Sequence, residues 1–311
     1  MPYADPPLAG RYHLLEELGA GATGTVHRAW DLREQRFVAV KLLRAHARAP
    51  DPGDHRPSAR LGCFVREQSV RITHPHVAAP TGWIADDDRV ALTMDLFGGG
   101  SLADLVAARR GEPFGASYVA VLLGQLLDAL AAVHAAGVVH RDVKPANLLL
   151  ESTGHGRPHL RLGDFGVAAV VGRPHDDGPL GTPGFAAPEQ LAGAAPDPRQ
   201  DLYAAGVTAR RLLGRAPGPL DELVADLVQP DPDRRPASAR EARHRLDMLG
   251  VVRPLRWPRV PDRCGPGVVP VPAAVRRPGH ARPVAPAWLL TTGFLASAAT
   301  TSTTVWLLAG R

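Results

Sequence analysis

The sequence predicts an α+β protein in two lobes, a small β-rich lobe followed by a larger helical one. Three observations carry this reading. Residues 11–43 and 81–95 hold short apolar and β-branched runs broken by Gly- and Asp-rich turns. Three consecutive glycines, 98–100, then mark a boundary. Beyond them the apolar residues fall at helical spacing, most plainly from Tyr118 to Ala136. At 311 residues the chain has room for one large or two modest domains with a real core.

The first strand, Arg11 to Leu18, leads into Gly19-Ala20-Gly21-Ala22-Thr23-Gly24-Thr25-Val26. A Gly-x-Gly-x-x-Gly run suits a dinucleotide-binding turn, a hairpin lid over phosphates, or a plain glycine hairpin. The first needs a helix directly after the glycines. Here Val26-His27-Arg28-Ala29 continues as a strand, which fits the lid better. Phe37 to Leu42 reads as a buried strand carrying Lys41. Residues 44–60 are Pro- and Arg-rich and read as a loop; a helix from Arg60 to about Ile72 follows and carries Glu67, its only acid. Pro75 ends that stretch. Strands at about 81–85 and 90–95 flank the Asp86-Asp87-Asp88 turn, Ser101 caps a short helix, and Gly137 closes the long one. Next comes His140-Arg141-Asp142-Val143-Lys144-Pro145-Ala146-Asn147, held between that helix and the apolar run Leu148-Leu149-Leu150. Loops anchored between rigid elements are where catalytic groups tend to sit.

Charge and composition narrow the function classes. The chain has 34 arginines but only two lysines, Lys41 and Lys144. Arg serves wherever a generic positive charge will do, so keeping a compact ammonium at two places suggests a specific need for it; codon bias is the plain alternative. The formal charge of +5 is concentrated in the tail: residues 251–311 hold eight Arg and one acid, which leaves residues 1–250 near −2. A nucleic-acid-binding core is therefore not indicated. Cys63 and Cys264 are far apart and suggest neither a disulfide framework nor a metal knuckle. No apolar run follows Met1, so no secretory leader is expected.

Taken together, the motifs resemble the eukaryotic-like (Hanks-type) serine/threonine protein kinases of bacteria. His140 to Asn147 is similar to the catalytic loop, Asp164-Phe165-Gly166 to the metal-binding triplet, and Val38-Ala39-Val40-Lys41 to the phosphate-anchoring strand. Gly181-Thr182-Pro183 through Ala187-Pro188-Glu189 resembles the end of the activation segment. Asp201 resembles the residue opening the central buried helix, and Arg235 the partner of Glu189. The resemblance covers residues 11–249, with a small lobe at 11–97 and a large lobe at 98–249. Lys144, two residues after Asp142, and Thr182 both point to the serine/threonine branch.

The resemblance implies a bilobal protein-kinase fold that binds ATP and Mg²⁺ (or Mn²⁺) and phosphorylates Ser or Thr of protein substrates. Leu18, Gly19, Gly21, Gly24 and Val26 would cover the nucleotide. Lys41, oriented by Glu67, would hold the α/β-phosphates, although a solvated surface Glu67 is the alternative. Ala39, Met94 and the backbone of Asp95 and Phe97 would form the adenine pocket and hinge. Asn147 and Asp164 would hold the metal; Asp142, Lys144 and Thr182 would act at the transferring group. Self-association for autophosphorylation is compatible with this.

Two departures stand out. No Ser, Thr or Tyr lies between Gly166 and Gly181, so a loop phosphorylation switch is absent; Asp176 or Asp177 would supply fixed charge to Arg141, or form a solvated acidic turn. Few residues separate Leu213 from Arg234, so a helix that the family usually places there is expected to be shortened or missing.

Residues 250–286 are Pro- and Arg-rich and read as an extended linker. Residues 287–310 carry no charge, with Trp288 and Trp306 near the ends. At about 1.5 Å per residue such a helix spans the ~30 Å hydrocarbon core. A single-pass membrane anchor, with the kinase domain on the cytoplasmic, Arg-rich side, is expected. A disordered tail on a cytoplasmic protein is the alternative. Rival readings of the whole are a catalytically weak nucleotide-binding scaffold, which typically loses one of Lys41, Asp142 or Asp164, and a small-molecule kinase, which typically lacks the Ala187-Pro188-Glu189 segment.

Overall fold

A computed structural model describes residues 6–21, 24–43, 72–86, 89–165, 168–171, 181–214, 217–252, 254 and 256–265. Glu67, Gly166, Asp176, Asp177, the expected helix before His74 and the segment 287–310 lie outside the described residues.

The small lobe is a five-stranded antiparallel sheet of β1 (Tyr12–Ala20), β2 (Gly24–Asp31), β3 (Arg36–Leu43), β4 (Gly82–Asp86) and β5 (Arg89–Asp95), in the order β1-β2-β3-β5-β4. Alternation along the strands divides their side chains between two faces. Tyr12, Ala29, Val38, Val40, Ile84 and Ala91 form one buried cluster, joined by Leu8 from ahead of β1. Ala39 and Lys41 therefore point to the other face. The sheet is closed at its outer end by Arg11, which donates from Nε and Nη2 to the buried Asp31 carboxylate at 2.8 and 2.6 Å. Burial raises the Asp31 pKa, but Arg11 and two backbone N–H groups more than reverse this and hold it below the ordinary carboxylate value.

The large lobe is built around α2 (Ala116–Ala135), preceded by α1 (Leu102–Ala108) and followed by β6 (Val138–Val139). Ser101 caps α1 through a reciprocal box with Asp104, as its position directly after the glycines led one to expect. Gly137, at φ 74°, takes the left-handed conformation that ends α2. The helix is long and apolar enough to cross a membrane, yet Leu122, Leu126, Leu127 and Leu130 lie in the core of this lobe. Each such Leu contributes about 1.5–3 kcal/mol relative to an exposed position. There follow the hairpin β7 (Leu148–Leu150) with β8 (Leu160–Leu162), then β9 (Ala169–Val170), α3 (Pro188–Leu191), α4 (Pro198–Leu213), α5 (Asp221–Leu227) and α6 (Ala239–Met248); of these, β8, α4 and α6 pack on α2.

Of three expectations here, two are adjusted. The helix bearing Asp201 starts three residues earlier, with Asp197 as cap and Pro198 in the first turn. Between Leu213 and Arg234 the described residues hold one α-helix, Asp221–Leu227, of seven residues, in keeping with the shortening expected there. The third concerns the linker. Residues 256–265 pack against the domain: Val260 is buried in the core of the large lobe and exchanges two backbone hydrogen bonds with Gly154.

Candidate active site

The loop after α2 is held from below by one buried carboxylate. Asp201, fully buried on α4, accepts the backbone N–H of His140 and of Arg141, each at 2.8 Å, and the Nε2–H of His134 at 2.8 Å. Burial alone would raise the Asp201 pKa; the His134 imidazole and the N–H donors outweigh it and keep the group ionised below the usual range. From the side, Gln190 of α3 donates to the Arg141 carbonyl at 2.8 Å. His140 accepts the Asp142 N–H at Nδ1 (3.3 Å) and donates from Nε2 to the Gly163 carbonyl (2.9 Å), which fixes its tautomer. Its ring meets the buried Phe165 edge-on at 4.8 Å. Thus one imidazole couples the loop carrying Asp142 to the segment carrying Asp164. Arg141 and Asp164 adopt positive φ, 68° and 58°, which non-glycine residues hold only when their surroundings over-determine them.

Upon this frame the polar groups converge. Thr182 Oγ1 donates to Asp142 Oδ1 at 2.7 Å and accepts from Lys144 Nζ at 2.7 Å. Lys144 also lies 2.8 Å from Asp142 Oδ2. Asn147 donates its amide N–H groups to the carbonyl and to Oδ2 of Asp142, at 2.8 and 2.9 Å. Its amide oxygen is then the group left to meet a cation. Across the cleft, buried Lys41 of β3 reaches Asp164 Oδ1 at 2.8 Å, although 123 residues separate them in sequence.

Several of the remaining positions share one face of the sheet. Val26 is the cross-strand neighbour of Lys41, and Ala39 that of Met94, which brings these four to one wall. Leu18 stands exposed at the end of β1. A Cβ on Gly24 would sit 2.0 Å from the Leu42 carbonyl oxygen, so this glycine is required by the close approach of β2 to β3. Gly19 and Gly21 have no heavy atom within 4 Å of a built Cβ, and so leave room above the cleft. Asp95 ends β5, its side chain held by Arg36 at 2.9 Å; Phe97 lies under the Arg161 guanidinium, 5.1 Å from its ring centre. Glu67, expected beside Lys41, lies outside the described residues.

For a divalent cation, the donor set is Asp164 carboxylate and Asn147 amide oxygen, both hard oxygen ligands suited to Mg²⁺ completed by phosphate oxygens. Among the described residues no group of three or more His, Cys, Asp or Glu is arranged to hold a metal. Two protein oxygens plus a nucleotide fit that finding.

Sequence reasoning missed His134 and Gln190 altogether. Each reaches the loop by hydrogen bonding to residues distant in sequence, which neither spacing nor residue type announced.

A sheet lobe and a helical lobe carry an Asp–Lys–Thr cluster and a Lys–Asp pair, groups suited to meeting a hydroxyl and phosphate oxygens. Comparison with known families gives the matching result: residues 12–222 match the protein kinase domain, and the chain belongs to that family. It is similar to serine/threonine-protein kinase PkaA of Streptomyces coelicolor, 35% identical over 257 residues, covering 75% of this chain and 44% of that protein. Similarity to serine/threonine-protein kinase Pkn1 of Myxococcus xanthus is 35% over 233 residues, covering 72% and 32%. A plant relative, CBL-interacting protein kinase 4 of Oryza sativa subsp. japonica, is 34% identical over 272 residues, covering 76% and 58%. The chain thus spans less than half the length of the first two.

Proposed function

We propose that this chain is an ATP-dependent serine/threonine protein kinase, transferring the γ-phosphate to protein hydroxyls. The observation that carries this is the shared contact of Asp142 and Lys144 with the hydroxyl of Thr182. A serine or threonine hydroxyl of a substrate offers the same chemistry as Thr182, and Asp142 is placed to orient it and take its proton. Lys144 brings a positive charge to the transferring group. Lys41 neutralises the α/β-phosphates, the open glycines of the β1–β2 turn admit them, and Met94, Ala39 and Val26 bound the adenine. Asp164 and Asn147 would hold Mg²⁺, which when bound screens charge between the phosphates. Little covalent chemistry falls to the protein; position and charge carry the rate.

The printed names of the bacterial relatives support the serine/threonine assignment. The uncharged segment 287–310, with tryptophans near its ends and arginines before it, supports a membrane anchor with the kinase domain on the cytoplasmic side.

The test is incorporation of label from γ-labelled ATP with Mg²⁺ into the full chain and a generic protein acceptor, followed by phosphoamino-acid analysis. Phosphoserine and phosphothreonine are expected. Nucleotide binding with no transfer at all would favour a signalling scaffold instead.

A further inference from the structure

The family match ends at residue 222, yet the described residues continue through α6, and those at 256–265 return along the domain. Its course touches three bodies in succession. Val260 is buried in the large lobe and pairs with Gly154, N to O at 2.8 Å and O to N at 2.9 Å. Arg263 N–H then donates to the Gly98 carbonyl at 2.8 Å, on the glycine run between the lobes. One residue on, the Cys264 carbonyl accepts Arg28 Nη1 of β2 at 2.6 Å. Asp262 Oδ1 accepts the N–H of Cys264 (3.0 Å) and Gly265 (3.1 Å), folding the end of the segment into the turn that aims that carbonyl at Arg28.

We propose that residues 260–265 are a strap that fixes the orientation of the two lobes and so sets nucleotide affinity, with Val260, Arg263 and Cys264 as positioning residues. The inference rests on the cleft being the nucleotide site. Four residues separate the anchor Val260 from Cys264, a reach of at most about 14 Å when fully extended. The small lobe therefore cannot swing far from the large one unless the Arg28 contact breaks. The strap also sits close against the hinge. A Cβ at Gly99 would lie 2.8 Å from Val260 Cγ1, and one at Gly98 would lie 3.0 Å from Asp262 Oδ1. At its far end, Arg28 lies two residues beyond Val26 on the same strand and opposite Ala39, so it belongs to the face that bounds the adenine. Gly98 directly follows Phe97, whose N–H is assigned to the adenine edge. The strap thus grips neighbours of both walls of the pocket. Releasing it lets open lobe orientations populate, and apparent affinity falls by the fraction that remains competent.

The experiment uses the full chain. Arg263→Pro removes the N–H given to Gly98, and Asp262→Ala removes the turn at an exposed residue whose loss does not threaten the fold. Arg256→Ala, which loses only a contact to His155 on the large lobe, is the control. Binding of Mg²⁺ with a non-hydrolysable ATP analogue is measured by calorimetry, and amide hydrogen exchange reports residues 260–265. Both strap variants are expected to weaken binding roughly three- to ten-fold, the worth of one or two hydrogen bonds, with the control unchanged. A merely structural strap would lower Tm and leave this Kd where it was. Unchanged affinity in a variant whose strap amides exchange freely overturns the proposal, as does free exchange of the Arg263 amide in the unmodified chain. If the unmodified chain binds no nucleotide, the kinase reading itself fails, a result distinct from equal binding by all variants.

Discussion

Replacing Asp201 by Asn should cost the protein both stability and rate, for a reason that can be followed bond by bond. The carboxylate accepts three hydrogen bonds at 2.8 Å, two of them from the backbone of the loop that presents Asp142. Asn keeps one acceptor oxygen and puts an NH₂ where the other was. Whichever way the amide turns, at least one buried N–H then faces a donor. An unsatisfied buried donor costs about 1–3 kcal/mol, and losing the charge on the remaining bonds about 1–2 kcal/mol more. A total near 2–5 kcal/mol corresponds to a fall in Tm of about 4–20 °C for a domain of this size. Since His140 and Arg141 are the loop residues released, kcat should fall at least ten-fold, while Kd for the nucleotide, set by β1–β3 and the hinge, changes little. Differential scanning calorimetry and single-turnover phosphoryl transfer measure the two effects. Unchanged Tm and kcat would show that the buried carboxylate does not hold this loop.

Other outcomes follow from the same contacts. Thr182→Val should lower kcat about ten-fold with nucleotide Kd unchanged, and Thr182→Ser should restore most of it, since the hydroxyl between Asp142 and Lys144 is what matters. Arg235 uses all five donors, two of them on Glu189 at 2.6 and 2.9 Å and the others on the carbonyls of Gln229, Arg199 and Pro230. Arg235→Lys, with three donors on one nitrogen, should lose roughly 2–4 kcal/mol in a denaturant titration. Asp31, Asp197 and Asp201 all have pKa values below the ordinary one in the fold: burial pushes each up, and Arg11, Arg199 and His134 respectively pull it further down. Their stabilisation is therefore complete above about pH 4 and is lost as pH falls through the folded values. Tm measured from pH 7 down to pH 3 should hold level and then drop; an acid limb absent in a chain carrying all three would contradict it.

How far the sequence revealed this molecule depended on whether a feature was local. The apolar, β-branched run leading to Lys41, the helical spacing from Tyr118 and the Ser101 cap are written in neighbouring residues, and each appears where expected. The start of α4 was also legible, because Asp197-Pro198 is a cap followed by a first-turn proline, although Asp201 drew the eye instead. His134 and Gln190 were hidden because a hydrogen bond over 67 or 49 residues leaves no periodic trace. The strap was misjudged for a different reason. Pro254, Pro258 and Pro261 signal a chain without regular structure, and the step from irregular to unattached does not follow. One buried valine and a few backbone bonds suffice to pin an extended segment, and neither changes composition.

The central claim is that Asp142 acts on a hydroxyl beside a nucleotide held by Lys41 and Asp164. Its most direct test sets phosphoryl transfer by Asp142→Asn beside Mg²⁺–ATP binding by the same protein. The account expects transfer to fall by about 10²–10⁴-fold while Kd stays within two-fold. Transfer at the unmodified rate, with binding intact, would contradict it.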